Sequence, residues 1–237
     1  MNAEGEKNMV ADIQALVGKV VDYAEHYDSE FLSSMERVSQ LVGRPRNFGS
    51  IASVGQAWLQ DSVLALASAL WYGCARQGIP ERYWRLAVQA IRETITQVAL
   101  HNRGTQSQGV ARQFEHLCQH PTDCFETDDQ WQNPDSHASK GPMVRDLTHL
   151  HFEHKNLIYD IRNQLANDAK QTHFAVRANI CGMGDKTTSF LLRDVAWVYQ
   201  LEGQGSLIHT TQAIYIQPVD IWVRRLSEYL WPDLKGK

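Results

Sequence analysis

The chain has 237 residues, of which 43% are hydrophobic and 21% are charged, and its formal net charge is −4. These values are typical of a globular protein with room for a core, and they exclude a globally basic nucleic-acid binder, so any nucleic-acid contact would need a local basic surface. No apolar run reaches the length of about 18 residues that a membrane-spanning helix needs.

The cysteines and the amino-terminal stretch indicate the cellular compartment. Four scattered cysteines are too few for a disulfide framework. The amino-terminal stretch is polar and acidic, without the basic start and apolar core of a signal peptide. We therefore expect a cytoplasmic protein with reduced thiols and no membrane contact.

Apolar residues recur with helical spacing through nearly the whole chain, which predicts an all-α fold. The predicted helices cover, in chain order, residues 9–27, 29–42 with Ser29 as the N-cap, 53–78, 80–100, 109–118, 143–170, 174–180, 187–198 and 219–231. Residues 119–140 and 202–212 are polar and predict loops. The alternation typical of a strand is confined to residues 213–219, where Pro218 limits it.

A glycine-rich stretch joins two of these helices, with Gly182 and Gly184 two residues apart and Lys186 following. It predicts a tight turn in which both glycines permit positive φ and let a phosphate approach the backbone. The second helix would direct its free N–H groups at the same anion. A nucleotide-binding P-loop is excluded because Asp185, and not a glycine, precedes Lys186. A plain glycine C-cap before a new helix stays an alternative.

A second motif stands downstream, where Pro218 and Val219 precede Asp220 at the start of the last predicted helix. Taken alone, Asp220 is typical of an N-cap that stabilises its helix by about 1 kcal/mol. Lys186 lies 34 residues before Asp220. A glycine hairpin with its lysine, followed by Pro-Val-Asp, is a far more specific signal than either motif by itself.

The paired motifs resemble those of the helix-hairpin-helix DNA glycosylases, in particular the lysine-dependent 8-oxoguanine glycosylase/lyases. That family carries Gly-x-Gly-x-Lys and a downstream Pro-Val-Asp, and the long spacing between Lys186 and Asp220 is similar to its archaeal branch. Residues 99–118 resemble the family's wedge loop and the helix after it. The resemblance thus extends over about residues 99–231.

The resemblance implies an architecture as well as an activity. It implies two helical subdomains, one formed by residues 1–55 with 211–237 and the other by residues 56–210. The second would carry the helix-hairpin-helix, and the active site would lie in the cleft between the two. The partner would be double-stranded DNA containing a modified base, bound by a monomer.

The resemblance also implies roles for individual residues. Lys186 would attack the sugar of the extruded nucleotide, and Asp220 would stabilise the cationic sugar. Asn102 would fill the gap left by the base, and Arg103 would contact its orphaned partner. The expected DNA contacts are Gly182, Gly184, Asn102, Arg103 and Arg224.

Two positions depart from the eukaryotic members of the family. Phe190 replaces a cysteine four residues after Lys186, and Trp222 replaces a histidine two residues after Asp220. We expect both aromatic residues to line the base pocket. No cysteine follows Cys181, so the iron–sulfur cluster of other branches is not expected, and neither is any other cofactor or metal.

The position of Lys186 suits a nucleophile better than an ordinary surface cation. An ammonium group on the first turn of a helix faces the positive end of the helix dipole. Burial and the helix amino terminus both favour the neutral amine, which is the form that attacks carbon. We therefore expect Lys186 to be buried.

Three functions remain open at this point. The first is a glycosylase and abasic-site lyase for an oxidised purine such as 8-oxoguanine. The second is a glycosylase for another modified base, such as a bulky modified pyrimidine in foreign DNA, because Phe190 and Trp222 depart from the family pattern. The third is a DNA-binding module that uses the hairpin without catalysis.

Two clusters of possible metal ligands are weaker signals. His116, Cys118, His120 and Cys124 fit no familiar zinc spacing and predict a solvated loop. Three histidines on the predicted helix 143–170 do not form the HExxH pattern of a zinc protease and are expected at the surface or facing DNA. These three are His149, His151 and His154.

Overall fold

The computed structural model of the chain describes residues 26–75, 81–97, 103–119, 140–201 and 210–217. All regular elements in these ranges are helical, which confirms the all-α prediction for them. The first helix, α1, covers residues 26–41. It is followed by α2 (Ile51–Gln60), α3 (Ser62–Ala75), α4 (Glu81–Gln97), α5 (Arg103–Gln119), α6 (Lys140–Glu153), α7 (Leu157–Asn167), α8 (Ala169–Asn179), α9 (Asp185–Val198) and the 3₁₀ helix Thr210–Ile216.

The core is built around α3, which packs against α2, α4, α6, α7 and α9. Residues 64–70 of α3 are all buried, because this helix is apolar on every side and must be surrounded by others. The largest fully buried side chains around it come from several helices and include Phe31, Trp58, Tyr72, Trp84 and Phe114. They belong to one continuous hydrophobic cluster.

The prediction of a single helix over residues 53–78 is wrong, because the chain forms two helices there, α2 and α3, with the break at Asp61. Asp61 has extended backbone angles, φ −130° and ψ 94°. Its Oδ1 atom accepts hydrogen bonds from the backbone N–H groups of Val63 at 3.2 Å and Leu64 at 3.1 Å. Arg44 donates to the other carboxylate oxygen at 2.9 Å. A buried aspartate that caps the next helix therefore turns the chain.

The predicted helix over residues 143–170 is also divided, for the same reason. Asn156 caps α7 by accepting a hydrogen bond from the N–H of Tyr159 at 3.1 Å. Asp168 caps α8 through the N–H of Gln171 at 2.9 Å. Short polar side chains that bind nearby N–H groups thus interrupt a pattern that apolar spacing alone makes continuous.

Two further local predictions are wrong. Ser29 is not an N-cap, because the helix already includes residue 26 and the Ser29 hydroxyl donates to the carbonyl of His26 at 2.8 Å. The strand expected over residues 213–219 is a 3₁₀ helix as far as Ile216. Ile216 is fully buried, and the segment packs on α8 and α9 instead of pairing with a strand.

Several predicted features lie outside the described residues. These are most of the helix 9–27, the last helix 219–231, and the loop 119–140 except for its two end residues. The division into two subdomains therefore stays a prediction. None of the helices in the described ranges combines the length and the apolar character needed to cross a membrane.

Candidate functional site

The glycine-rich stretch forms a turn between two helices, as predicted. Helix α8 ends at Asn179 and α9 begins at Asp185. Gly182 adopts φ +78°, a conformation that favours glycine. A Cβ atom at Gly182 would lie 2.8 Å from the Cε atom of Met143. The backbone conformation is therefore the main reason for glycine at this position, because the end of the Met143 side chain can move aside.

Gly184 has a different role from the one expected. Its φ is −74° and its ψ is 174°, so the prediction of positive φ at this glycine is wrong. A Cβ atom built at Gly184 meets nothing within 4 Å. As the N-cap of α9, Gly184 offers no side chain to bind the first N–H groups of that helix. The turn therefore presents backbone and open space at the start of α9.

Helix α6 holds the turn through a hydrogen bond and through side-chain packing. The N–H of Cys181 donates to the Oδ2 atom of Asp146 at 3.0 Å. Met143 is fully buried and reaches both Gly182 and Gly73 of α3. Met183, between the two glycines, is buried as well. The turn is thus attached to the core through α6 and α3.

Lys186 is the second residue of α9, which confirms its predicted place on the first turn. Its side chain is exposed, so the expected burial of Lys186 is wrong. The Nζ atom lies 5.9 Å from the ring centroid of Phe190, one turn further along α9. Phe190 is half-buried and packs against the core. An amine and an aromatic face therefore lie side by side on the accessible side of the helix.

Asp185 points away from the turn, back to helix α8. Its Oδ1 atom lies 2.9 Å from Nη1 of Arg177 and 3.2 Å from Nε2 of His173. The carboxylate is 65% exposed, whereas the imidazole is almost completely buried. These contacts tie the first residue of α9 to the preceding helix and fix the direction in which α9 leaves the turn.

A third segment is held against this turn by the carbonyl oxygen of Tyr215. Nδ1 of His173 lies 2.9 Å from that oxygen, and the hydroxyl of Ser189 donates to it at 3.2 Å. Ser189 is one helical turn after Lys186. The 3₁₀ helix that contains Tyr215 is therefore fixed beside the first two turns of α9, immediately upstream of Pro218.

Sequence reasoning missed His173, Ser189 and Tyr215 as parts of this site. The contacts join residues that are 26 and 42 positions apart in the chain, and no short motif marks them. The strand-like alternation around Tyr215 even predicted the wrong local structure. Only the packed fold brings them together.

Many of the predicted site residues cannot be placed. Asn102 lies just before α5, and Arg103 is the first residue of that helix. Residues 98–102, between α4 and α5, lie outside the described ranges, so the wedge loop stays a prediction. Four residues of the predicted site, together with Asn102, lie outside the described ranges: Pro218, Asp220, Trp222 and Arg224.

Of the three histidines expected at the surface or facing DNA, His151 is the exception. His151 is buried, and its Nδ1 atom accepts a hydrogen bond from the N–H of Leu157 at 3.3 Å. This burial lowers the pKa of His151 to about 4, so the ring is neutral at pH 7. His149 is exposed as expected, and His154 lies just beyond the end of α6.

The possible zinc ligands of α5 are not arranged as a metal site in the described part of the chain. Burial, followed by the neighbouring Cys74 and Glu115, raises the pKa of Cys118 to about 12. The thiolate that binds metals is therefore disfavoured at this cysteine. His120 and Cys124 lie outside the described ranges.

Comparison of the chain with models of protein families, with curated protein sequences and with solved structures found no match. The family resemblance therefore rests on the quoted motifs. The described residues contribute one more observation: the first turn of α9 and the segment upstream of Pro218 are adjacent in space.

Proposed function

We propose that the chain is a DNA glycosylase with abasic-site lyase activity, in which Lys186 is the nucleophile and Asp220 its acidic partner. Its substrate would be double-stranded DNA with a modified base, and an oxidised purine such as 8-oxoguanine is the first candidate. The turn between α8 and α9 would act as the hairpin of a helix-hairpin-helix motif. We further propose that it acts as a cytoplasmic monomer.

One observation carries this proposal. Lys186 is exposed directly after the glycine turn, and the Tyr215 carbonyl is bound to Ser189 one turn further along the same helix. Asp220 follows Tyr215 by only five residues. The described segment that leads to the second motif is therefore held against the helix that carries Lys186, and this contact supports the proposal.

The chemistry requires an extruded nucleotide, because a base stacked in a duplex cannot be attacked at its sugar. The amine of Lys186 would bond to C1′ while the bond from C1′ to the base breaks and its electrons leave with the base. The ionised carboxylate of Asp220 would stabilise the cationic sugar that develops. Opening of the sugar ring gives a Schiff base, and loss of a C2′ proton then expels the 3′ phosphate.

Exposure of Lys186 in the chain without DNA is compatible with this role. A flipped nucleotide and the DNA backbone would cover the first turn of α9 on binding and remove water from the amine. Desolvation disfavours an ammonium group, as does the positive end of the helix dipole. On this account, the burial expected from the sequence is supplied by the substrate.

The glycine turn would hold a DNA phosphate through backbone groups. Gly184 leaves the start of α9 without a side-chain cap and leaves open space where its Cβ would stand. A phosphate can approach such a helix terminus closely and accept hydrogen bonds from its N–H groups. This mode of binding needs no basic patch, which suits a chain with a net charge of −4.

Base release from a panel of modified duplexes tests the proposal. We expect the wild-type chain to excise at least one modified base and to cleave the strand at that site, and the Lys186→Gln variant to do neither while still binding DNA. Asp220→Asn should reduce turnover steeply without loss of folding, because asparagine also caps helices. Base release by Lys186→Gln at the wild-type rate would contradict the proposal.

The same panel of duplexes distinguishes a glycosylase for an oxidised purine from the second candidate, a glycosylase for a bulky modified pyrimidine. The observation in its favour is the accessible, aromatic surface of Phe190 where the eukaryotic relatives have a small thiol. Release of a modified pyrimidine, with oxidised purines left intact, would select this alternative.

A further inference from the structure

Arg193 is held in one orientation by its neighbour in the chain, Asp194. Nε and Nη2 of Arg193 both donate to the Oδ1 atom of Asp194, at 2.8 and 2.6 Å. Nη2 also donates to the hydroxyl of Tyr27. The guanidinium carbon lies 4.5 Å from the ring centroid of Tyr27. A side chain that is usually mobile is therefore fixed by two hydrogen-bonding partners and one aromatic ring.

Asp194 is buried and has hydrogen-bond donors besides Arg193. It is completely buried, and the hydroxyl of Tyr72 in α3 donates to its Oδ2 atom at 2.8 Å. Tyr27 of α1 donates to both carboxylate oxygens, at 3.0 and 2.9 Å. The carboxylate thus joins α1, α3 and α9 and positions the guanidinium from the core side.

The fixed guanidinium faces the same aromatic ring as the candidate nucleophile. The guanidinium carbon of Arg193 lies 5.0 Å from the ring centroid of Phe190, and Nζ of Lys186 lies 5.9 Å from it. The three residues are spaced four and three positions apart, which places them along one face of α9. The Arg193 side chain remains 23% exposed. Phe190 therefore has two cations near its ring, one from the preceding turn of α9 and one from the following turn.

The three nitrogens of this guanidinium differ in their hydrogen bonding. Among the described residues, Nη1 of Arg193 has no hydrogen-bond partner, whereas Nε and Nη2 are both occupied. A guanidinium can only donate hydrogen bonds. A fixed, partly exposed donor beside an aromatic ring suits the edge of a planar ligand that carries an oxygen acceptor.

We propose that Arg193 is a specificity-determining residue that donates a hydrogen bond from Nη1 to an oxygen on the extruded base. The inference rests on the proposed glycosylase function and narrows its substrate to bases with an exocyclic oxygen on the edge that faces Arg193. An oxidised purine and a hydroxymethylated pyrimidine both carry such an oxygen. Lys186 would reach the sugar, while Arg193, one turn beyond Phe190 on the same face of α9, would bind the base.

The test separates base recognition from sugar chemistry. Excision of the modified base requires Arg193 on this account, whereas strand cleavage at a preformed abasic site does not, because no base enters the pocket. We expect Arg193→Gln to reduce base excision by about 10- to 100-fold, the range for one hydrogen bond to a charged group, and to leave cleavage at the abasic site unchanged. Duplexes with an oxidised purine and with a hydroxymethylated pyrimidine show which base is recognised.

Two further variants keep the test informative. Arg193→Lys retains the cation beside Asp194 but lacks the fork that carries Nη1, so it should show the same selective loss. Tyr159→Phe is the control, because Tyr159 is an exposed residue of α7 whose ring lies beside Arg162 and not beside Arg193, so both activities should stay at the wild-type level. Equal loss of both activities in the two arginine variants, or no loss in either, would overturn the role of Arg193.

Failure of the proposed function gives a different result. A wild-type chain that leaves the modified bases and the abasic site intact would overturn the glycosylase proposal itself. Selective dependence on Arg193 can be judged only against wild-type cleavage at the abasic site, which is measured in the same experiment. The two outcomes are therefore distinguishable.

Discussion

The two ends of α9 differ in their exposure to solvent and in how they are held. At its start, Asp185 and Lys186 are exposed, and the N-cap is a glycine without a side chain. Toward its end, Asp194 is completely buried and bonded to Tyr27, Tyr72 and Arg193. One end presents polar groups to solvent, and the other fixes the helix in the core.

This contrast explains how an exposed lysine can still be precisely placed. Helix α9 is a rigid rod, so anchoring its buried end against α1 and α3 also fixes the position of its first turn. Asp146 and Met143 of α6 hold the turn itself. The exposed side chain of Lys186 can therefore be well placed and still accessible to a ligand.

Asp194→Ala, at the buried end, should cause the largest loss of folding stability. Removing a buried carboxylate leaves Arg193 and two tyrosine hydroxyls without their partner, a change that typically costs about 3–5 kcal/mol. The matched change at the open end is Asp185→Ala, which removes a largely exposed carboxylate and should cost about 1 kcal/mol or less. Urea unfolding of both variants measures the difference, and equal losses would refute the contrast between the two ends.

Acid should weaken the supporting core through protonation of His151. The pKa of His151 is lowered from 6.5 to about 4 in the folded chain, so the unfolded chain binds more protons between these values. The contribution of His151 to the free energy of unfolding is fully present above pH 6.5 and is lost as the pH falls towards 4. At pH 5 the loss is about 2 kcal/mol.

Unfolding free energies at pH 7 and pH 5 check this prediction. The control is His151→Asn, whose side-chain oxygen can accept the N–H of Leu157 but does not titrate. The pH dependence should be smaller in this variant by about 2 kcal/mol. An identical pH dependence in both chains would show that His151 does not couple protonation to folding.

The two glycines of the turn should respond differently to alanine, beginning with Gly182. Gly182→Ala places a Cβ on a backbone with φ +78° and 2.8 Å from Met143. Positive φ costs an ordinary residue about 1–2 kcal/mol, and the methionine must also shift. We expect a lower melting temperature for this variant. An unchanged melting temperature would mean that the turn rearranges freely.

Gly184→Ala should have the smallest effect on folding and a distinct effect on binding. The new Cβ meets no atom of the described chain and the backbone is extended, so the unfolding free energy should change by less than about 0.5 kcal/mol. DNA affinity should nevertheless fall, because the methyl group occupies the space proposed for a phosphate. Titration of a duplex with a non-cleavable abasic analogue measures this affinity, and wild-type binding would rule out the turn as a phosphate clamp.

The sequence was informative wherever local chemistry decides the structure. Apolar spacing predicted the helical class, and the paired glycines predicted the turn before Lys186. The breaks at Asp61 and Asn156 were missed because a capping side chain competes with helix continuation only when its neighbours allow it. Apolar periodicity continues across both sites and conceals them.

The parts of the site that depend on tertiary packing could not be predicted. His173 binds the Tyr215 carbonyl across 42 positions, and Tyr72 reaches Asp194 across 122. Both pairs are ordinary polar residues in ordinary sequence surroundings. The exposure of Lys186 was also mispredicted, because position on a helix turn does not determine which side of the helix faces the core.

Identification of the residue that becomes covalently attached to DNA tests the role of Lys186 as the nucleophile. Borohydride reduction during the reaction with a modified duplex converts a lysine Schiff base into a stable link, and peptide mapping of the trapped complex locates it. We expect a single link at Lys186, which disappears in Lys186→Gln. A link at any other residue, or a trapped complex that persists in Lys186→Gln, would contradict this role.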